Sequence, residues 1–388
     1  MKIAPLLLSV SAILWVPHIC PVLADVGIAQ SAIQTAPELK GKTAPALKGH
    51  GFEPCHQACT LATALATEGW FSQSSHLPAT TAPTTYRYFR VGAPNNIQTH
   101  PRAGYALMGG GTDLDEAFRW LCDRAAGGDF LIIRASGSDA YNPYVQGLCH
   151  LNSVATLVIP DRATASDAFV TKAITNASAL FISGGDQARY INYWAGTPVE
   201  TALRHVVKNG VPIGGTSAGL AVLGQFIYSA QNDPPDGPDL TSDAALADPF
   251  NHQVVIAPDL LGIPILRGII TDTHFDTRKR EGRLLVFMAR ILASGKTDRI
   301  RAIGVDEKTA VLVDPDGHAQ VVGKGEADFF EASDKPELCV AGKPLTFSLI
   351  SFDFVHAGSE FDLRDWNKKA TGAYLEVRAG QIDLQPSL

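Results

Sequence analysis

Residues 211 to 228 constrain this chain more than any other stretch. Val211 to Gly214 reads as a short buried strand and Leu220 to Tyr228 as an apolar helix, with Gly215-Thr216-Ser217-Ala218-Gly219 between them. A strand that turns this sharply needs glycines where backbone segments meet, and the turn projects the side chain at its tip outward. The rest of the chain has the same texture. Candidate strands are 105–108, 130–134, 155–159, 179–183, 211–214, 266–271 and 301–305. Candidate helices are 114–126, 141–150, 163–174, 198–208 and 282–293. Short buried strands separated by helices predict an α/β fold with a doubly wound, mostly parallel sheet. Right-handed crossovers then bring the carboxyl ends of the strands, and their loops, to one edge where sites form. After Val305 the pattern changes to alternation over 310–313, 319–322, 327–330 and 346–354, which predicts a β-rich C-terminal end on the same domain.

Composition narrows the functional class. Apolar residues make up 46% and charged residues 18%, ordinary for a globular chain with a sizeable core. A formal charge of −7 argues against nucleic-acid binding, which needs a basic excess to displace phosphate counterions. Met1 to Ala24 has a basic Lys2, an apolar run over 6–16 that is too short to span a bilayer, and a small-residue end at Val22-Leu23-Ala24. That pattern predicts a secretory signal peptide, hence a secreted or periplasmic protein rather than a membrane protein. Residues 25–85 read as an irregular leader and 86–388 as one α/β domain. Cleavage removes Cys20 and leaves Cys55, Cys59, Cys122, Cys149 and Cys339. Cys55 and Cys59 bracket His56 at a spacing that makes a poor metal site, and Cys122 and Cys149 are expected as small buried residues in helices. No metal or cofactor is expected.

Three clusters carry chemistry. Gly215 to Gly219 matches the G-x-S-x-G elbow, with Ser217 as candidate nucleophile and the Ala218 N–H as candidate oxyanion donor. Thr271-Asp272-Thr273-His274-Phe275 ends a strand, so His274 should reach the same edge as Ser217, where an imidazole could take the hydroxyl proton. A surface histidine is the plain alternative among 11 in the chain. Arg278, Arg280 and Arg283 follow it, and guanidinium groups clamp carboxylates. Ser183-Gly184-Gly185-Asp186-Gln187 closes another strand; there Gly185 could complete an oxyanion hole and Gln187 could donate to substrate. Gly109-Gly110-Gly111 lacks the spacing of a nucleotide-binding loop and reads as a turn.

In this order, Gly184 to Gln187, Gly215 to Gly219, and Asp272 to Phe275 with the three arginines resemble the cyanophycinase branch of the S51 serine peptidases. The resemblance implies a class I glutamine amidotransferase-like fold and cofactor-free hydrolysis of acidic or aspartyl peptides. It implies Ser217 as nucleophile, His274 as base, and Gln187, Asp272, Arg278, Arg280 and Arg283 as pocket residues, and it suggests a homodimer. Thr273 stands where cyanophycinases usually carry glutamine. The triad acid is sought in the longer segment between serine and histidine, where Asp233, Asp236, Asp239, Asp243 and Asp248 compete. Asp243 is favoured because 242–247 looks like a short helix that could hold it. Two other readings share these residues: an α/β-hydrolase esterase, disfavoured by the short Ser-to-His interval, and an inactive relative that only binds acidic peptide.

Overall fold

The computed structural model describes residues 85–235, 237–366 and 374–385. The expected signal peptide, the expected leader up to residue 84, Cys55 and Cys59 all lie outside them.

Two sheets form, where the sequence pattern implied one. At the centre of the first, β4 (Ser153–Val158), β3 (Asp129–Arg134), β5 (Ala179–Ile182), β6 (Ile213–Thr216) and β2 (Tyr105–Met108) lie side by side and parallel. Their residues are buried almost without interruption, as expected of strands covered on both faces. The edges are antiparallel: β1 (Arg87–Gly92) on one side, and β11 (Thr309–Val313), β12 (His318–Gly323) and β15 (Glu360–Asp362) on the other.

In the second sheet, β7 (Phe226–Tyr228), β9 (Ile269–Thr273) and β10 (Ile300–Val305) run parallel. Antiparallel β8 (Ile256–Pro258) flanks them on one side. On the other, β13 (Glu326–Ala332), β14 (Phe347–His356), β16 (Tyr374–Arg378) and β17 (Gln381–Gln385) follow in turn. The alternating C-terminal runs thus extend both sheets.

The helices are α1 (Asp115–Arg124), α2 (Tyr141–Leu148), α3 (Ala168–Thr175), α4 (Gln187–Trp194), α5 (Pro198–Lys208), α6 (Ala218–Ala221), α7 (Ser242–Ala247) and α8 (Glu281–Ala293). In α5 the local rules agree. The Thr197 side chain accepts from Val199 N, Pro198 opens the first turn, and Val199, Ala202, Leu203 and Val206 form the buried stripe. The apolar run after Ser217 behaves differently. It gives a single turn, α6, and then strand β7, because Phe226-Ile227-Tyr228 has the aromatic and β-branched character that favours a sheet. α8 is buried nearly all round, and its N-terminal turn seats against α7.

Cys122 and Cys149 are joined in a disulfide, not held as separate thiols. Each stands at the C-terminal end of its helix, α1 or α2, and the packing of these ends brings the two α-carbons to 6.1 Å. Among the described residues, no helix is long and apolar enough to cross a membrane.

Candidate active site

Ser217 stands between the end of β6 and the first residue of α6, with φ 53° and ψ −121°. No L side chain adopts this backbone readily, and residues held so are supported by their surroundings. Here the Ser217 N–H donates to Met108 O at 3.1 Å, pinning the elbow to β2. Gly219 is needed for close approach: a Cβ there would lie 2.0 Å from the Ile182 carbonyl oxygen of β5. With α6 only one turn long, little helix dipole faces the site, so oxyanion stabilisation falls to individual N–H groups.

His274 follows β9 and reaches the serine. Its Nε2 lies 2.7 Å from Ser217 Oγ, and its Nδ1 lies 2.6 Å from Glu307 Oε1. A carboxylate can only accept, so Nδ1 carries the hydrogen and Nε2 is left to accept from the serine hydroxyl. The imidazole is buried. Burial lowers its pKa below the ordinary histidine value, the nearby Arg278 and Arg280 charges push the same way, and the bond to Glu307 opposes them. The ring is therefore a free base at neutral pH.

The three glycines 109–111 form the bed of this pair. Gly109 O accepts from His274 N at 2.8 Å, and Gly110 O accepts from Lys308 N at 2.9 Å, beside Glu307. Gly110 has φ 108°, and a Cβ on it would come within 2.5 Å of the imidazole Cε1. The turn expected from the sequence is thus the support for both His274 and Glu307.

The acid expected at Asp243 is elsewhere. Asp243 is exposed in the first turn of α7, and that helix instead buttresses α8: Ser242 Oγ donates to Lys279 O at 2.5 Å and accepts from Arg283 N at 3.2 Å. Asp233 accepts from Tyr228 and Gln253, Asp239 holds arginines, and Asp248 accepts from Phe250 N and Gly342 N. Asp236 lies outside the described residues. Glu307 follows the candidate strand 301–305 much as His274 follows 266–271, but which strands pair is not legible in the sequence. In the parallel pair β9–β10, Thr273 is registered with Val305, so residues just past the two strand ends must be neighbours.

Ser217, His274, Ala218, Gly185 and Gln187 line one cavity of about 540 Å³, together with Arg278, Arg280 and Arg283. Gln187 opens α4, whose cap is Asp186. The arginines differ from one another. Arg283 is fully buried, and its Nε and Nη2 donate to Asp272 at 2.7 and 2.6 Å, while Nη1 donates to Leu240 O at 3.3 Å. It has little left to offer a ligand beyond its charge. Burial disfavours ionising Asp272, yet Arg283 and Arg280 overcome this and hold its carboxyl below the usual carboxylate range. Arg280 donates from Nη1 to Thr273 O at 2.9 Å and Thr273 Oγ1 at 3.1 Å, and from Nη2 to Asp239 at 2.5 Å. Arg278, half exposed, reaches the same Asp239 oxygen at 3.0 Å. Asp272 lies behind the cavity wall, locked to Arg283.

An α/β domain with a serine at a strained elbow, bonded to a buried histidine that a carboxylate orients, has the form of a serine hydrolase. The family model for peptidase family S51 matches residues 112–321. A cyanophycinase of Synechococcus elongatus is 30% identical over 257 residues, which cover 62% of this chain and 73% of that protein. One of Trichormus variabilis is 29% identical over 216 residues, 54% of this chain and 65% of that protein. The crystal structure of a peptidase from an acI-B1 Actinobacterium aligns with a TM-score of 0.45 at 17% identity, covering 68% of this chain and 98% of that one. The chain belongs to peptidase family S51 and is a serine-type peptidase.

Proposed function

We propose that the protein is an exported exopeptidase that hydrolyses aspartyl peptides of the cyanophycin type through an acyl-enzyme. The observation that carries this reading is the unbroken chain Ser217 Oγ, His274 Nε2, His274 Nδ1, Glu307 Oε1 on the wall of a charged cavity. Ser217 attacks the scissile carbonyl carbon as its proton passes to Nε2. Glu307 holds the tautomer and stabilises the imidazolium. The N–H groups of Ala218 and Gly185 receive the developing oxyanion, a contribution of about 3–4 kcal/mol for one such donor. Nε2 then protonates the leaving amine, and water, activated by the same nitrogen, releases the acyl group.

The charges of the cavity support a substrate bearing both signs. Arg278 and Arg280 share Asp239, a half-exposed carboxylate that a substrate carboxylate could replace. Asp233 also lines the cavity, and among the described residues it has no ion-pair partner; its hydrogen bonds come from the neutral Tyr228 hydroxyl and Gln253 amide. It suits a guanidinium or ammonium group. The Cys122–Cys149 disulfide supports export to an oxidising compartment.

The test is to incubate the protein with cyanophycin and with α- and β-linked aspartyl dipeptides, and to identify products by mass. Release of β-aspartyl-arginine by the unmodified protein, with none from Ser217→Ala, is the expected result. Equal product from Ser217→Ala, or hydrolysis of none of these substrates, would overturn the reading.

A further inference from the structure

The amino-terminal ends of the parallel strands in the second sheet border a second cavity, an open surface depression of about 560 Å³. It gathers residues from four separate stretches of chain: Gln225 and Phe226 entering β7, Arg267 and Gly268 before β9, Lys296, Thr297, Arg299 and Arg301 around the start of β10, and Arg364. Five of its side chains are cationic, Arg267, Lys296, Arg299, Arg301 and Arg364, and among the described residues no carboxylate lines it. In a chain of net charge −7 this concentration of one sign is not what average composition would supply.

The cations fall into two groups. Arg301 is fixed: Nε donates to Glu331 at 2.6 Å, Nη1 donates to Leu363 O at 3.0 Å, and its guanidinium sits 4.7 Å from the Trp366 ring centre. Arg364 is paired with Asp362. Arg267, Lys296 and Arg299 are solvent-exposed and have no ion-pair partner among the described residues, so three unpaired charges line the cavity. The floor beneath them is ordered, since Gly268 N donates to Gln225 Oε1 at 2.5 Å and Arg301 N donates to Gly268 O at 3.0 Å.

We infer that this cavity is a second binding site, for a multivalent oxyanion of the phosphate or carboxylate class. A single monovalent anion would leave most of the converging charge unmet. An anion with three or more charged oxygens would engage Arg267, Lys296 and Arg299 together and form charge-assisted bonds with guanidinium forks. The site is separate from the hydrolytic one. β9 has this cavity just before its first residue and His274 just past its last, and the five residues of strand between them span about 16 Å.

Isothermal titration calorimetry tests this with tripolyphosphate in one arm and citrate in the other, each against sodium chloride of matched ionic strength. The expected result is saturable binding of at least one anion to the full chain, weakened more than threefold in the Arg267→Glu/Arg299→Glu double variant. Turnover of a short aspartyl dipeptide should be the same in both proteins. Binding of only one anion assigns the class to phosphate or to carboxylate. If the charge-reversed chain does not fold by circular dichroism, Arg267→Gln/Arg299→Gln carries the same comparison. The inference is overturned if neither anion binds beyond chloride, or if the folded variant binds within threefold of the original.

Discussion

Replacing Glu307 by glutamine separates the triad assigned here from the one that sequence order suggests. The carboxylate lies 2.6 Å from His274 Nδ1, with the imidazole side chain 8% exposed and the glutamate side chain 26% exposed. Losing a charge-assisted hydrogen bond of this kind costs about 1.5–3 kcal/mol, which alone slows turnover by roughly 10- to 150-fold. A glutamine can also turn its NH2 toward Nδ1. That would place the ring hydrogen on Nε2 and remove the base from Ser217; where the acid is fully buried, the corresponding change costs about 10⁴ in kcat. Glu307 is partly wetted, and water can take over some of its role. The expected loss in kcat is therefore between about 10² and 10⁴. The assay is initial-rate release of product from a β-aspartyl dipeptide, run beside Asp243→Asn. Asp243 is exposed and touches no residue of the dyad, so that variant should keep its rate within about twofold. The reasoning is refuted if Glu307→Gln retains more than a third of the original kcat, or if Asp243→Asn falls as far.

Other expectations follow from the same geometry. Hydrolysis needs unprotonated His274, whose pKa is lowered, so kcat/KM should fall with decreasing pH about a midpoint below the ordinary value of about 6.5; a midpoint above that value in a pH–rate profile would contradict the burial argument. Ser217→Gly should relieve the positive φ and raise stability by about 1 kcal/mol in urea unfolding while removing activity, and a loss of stability would show that the elbow is not strained. Asp272→Asn leaves Arg283 buried without its counter-charge and should cost about 3–5 kcal/mol of unfolding free energy, with a loss under 1 kcal/mol arguing against a buried ion pair.

The sequence by itself determined the local pieces of this protein. Periodicity located the central strands and most helices because burial on both faces of a parallel strand leaves an uninterrupted apolar run, as in residues 130–133 and 179–182. It located the elbow because only a few residue types tolerate a strand-to-helix turn of that geometry. It marked Ser217 and His274 as partners because each directly follows a buried strand.

Tertiary structure decided what joins those pieces. The division into two sheets depends on strand pairing, which period alone does not encode; at 226–228 pairing with β8 and β9 completes what the local β propensity favours. Chain order points to an acid between serine and histidine, whereas Glu307 follows the histidine and meets it through the β9–β10 register. Hydrogen bonding depends on distance in space, so chain order carries no information about it. The arginines were legible as a cationic cluster. Only packing showed that Arg283 is spent on Asp272, because a guanidinium taken out of water must be met by the nearest buried carboxylate or carbonyl, and that Arg278 and Arg280 converge on the half-exposed Asp239.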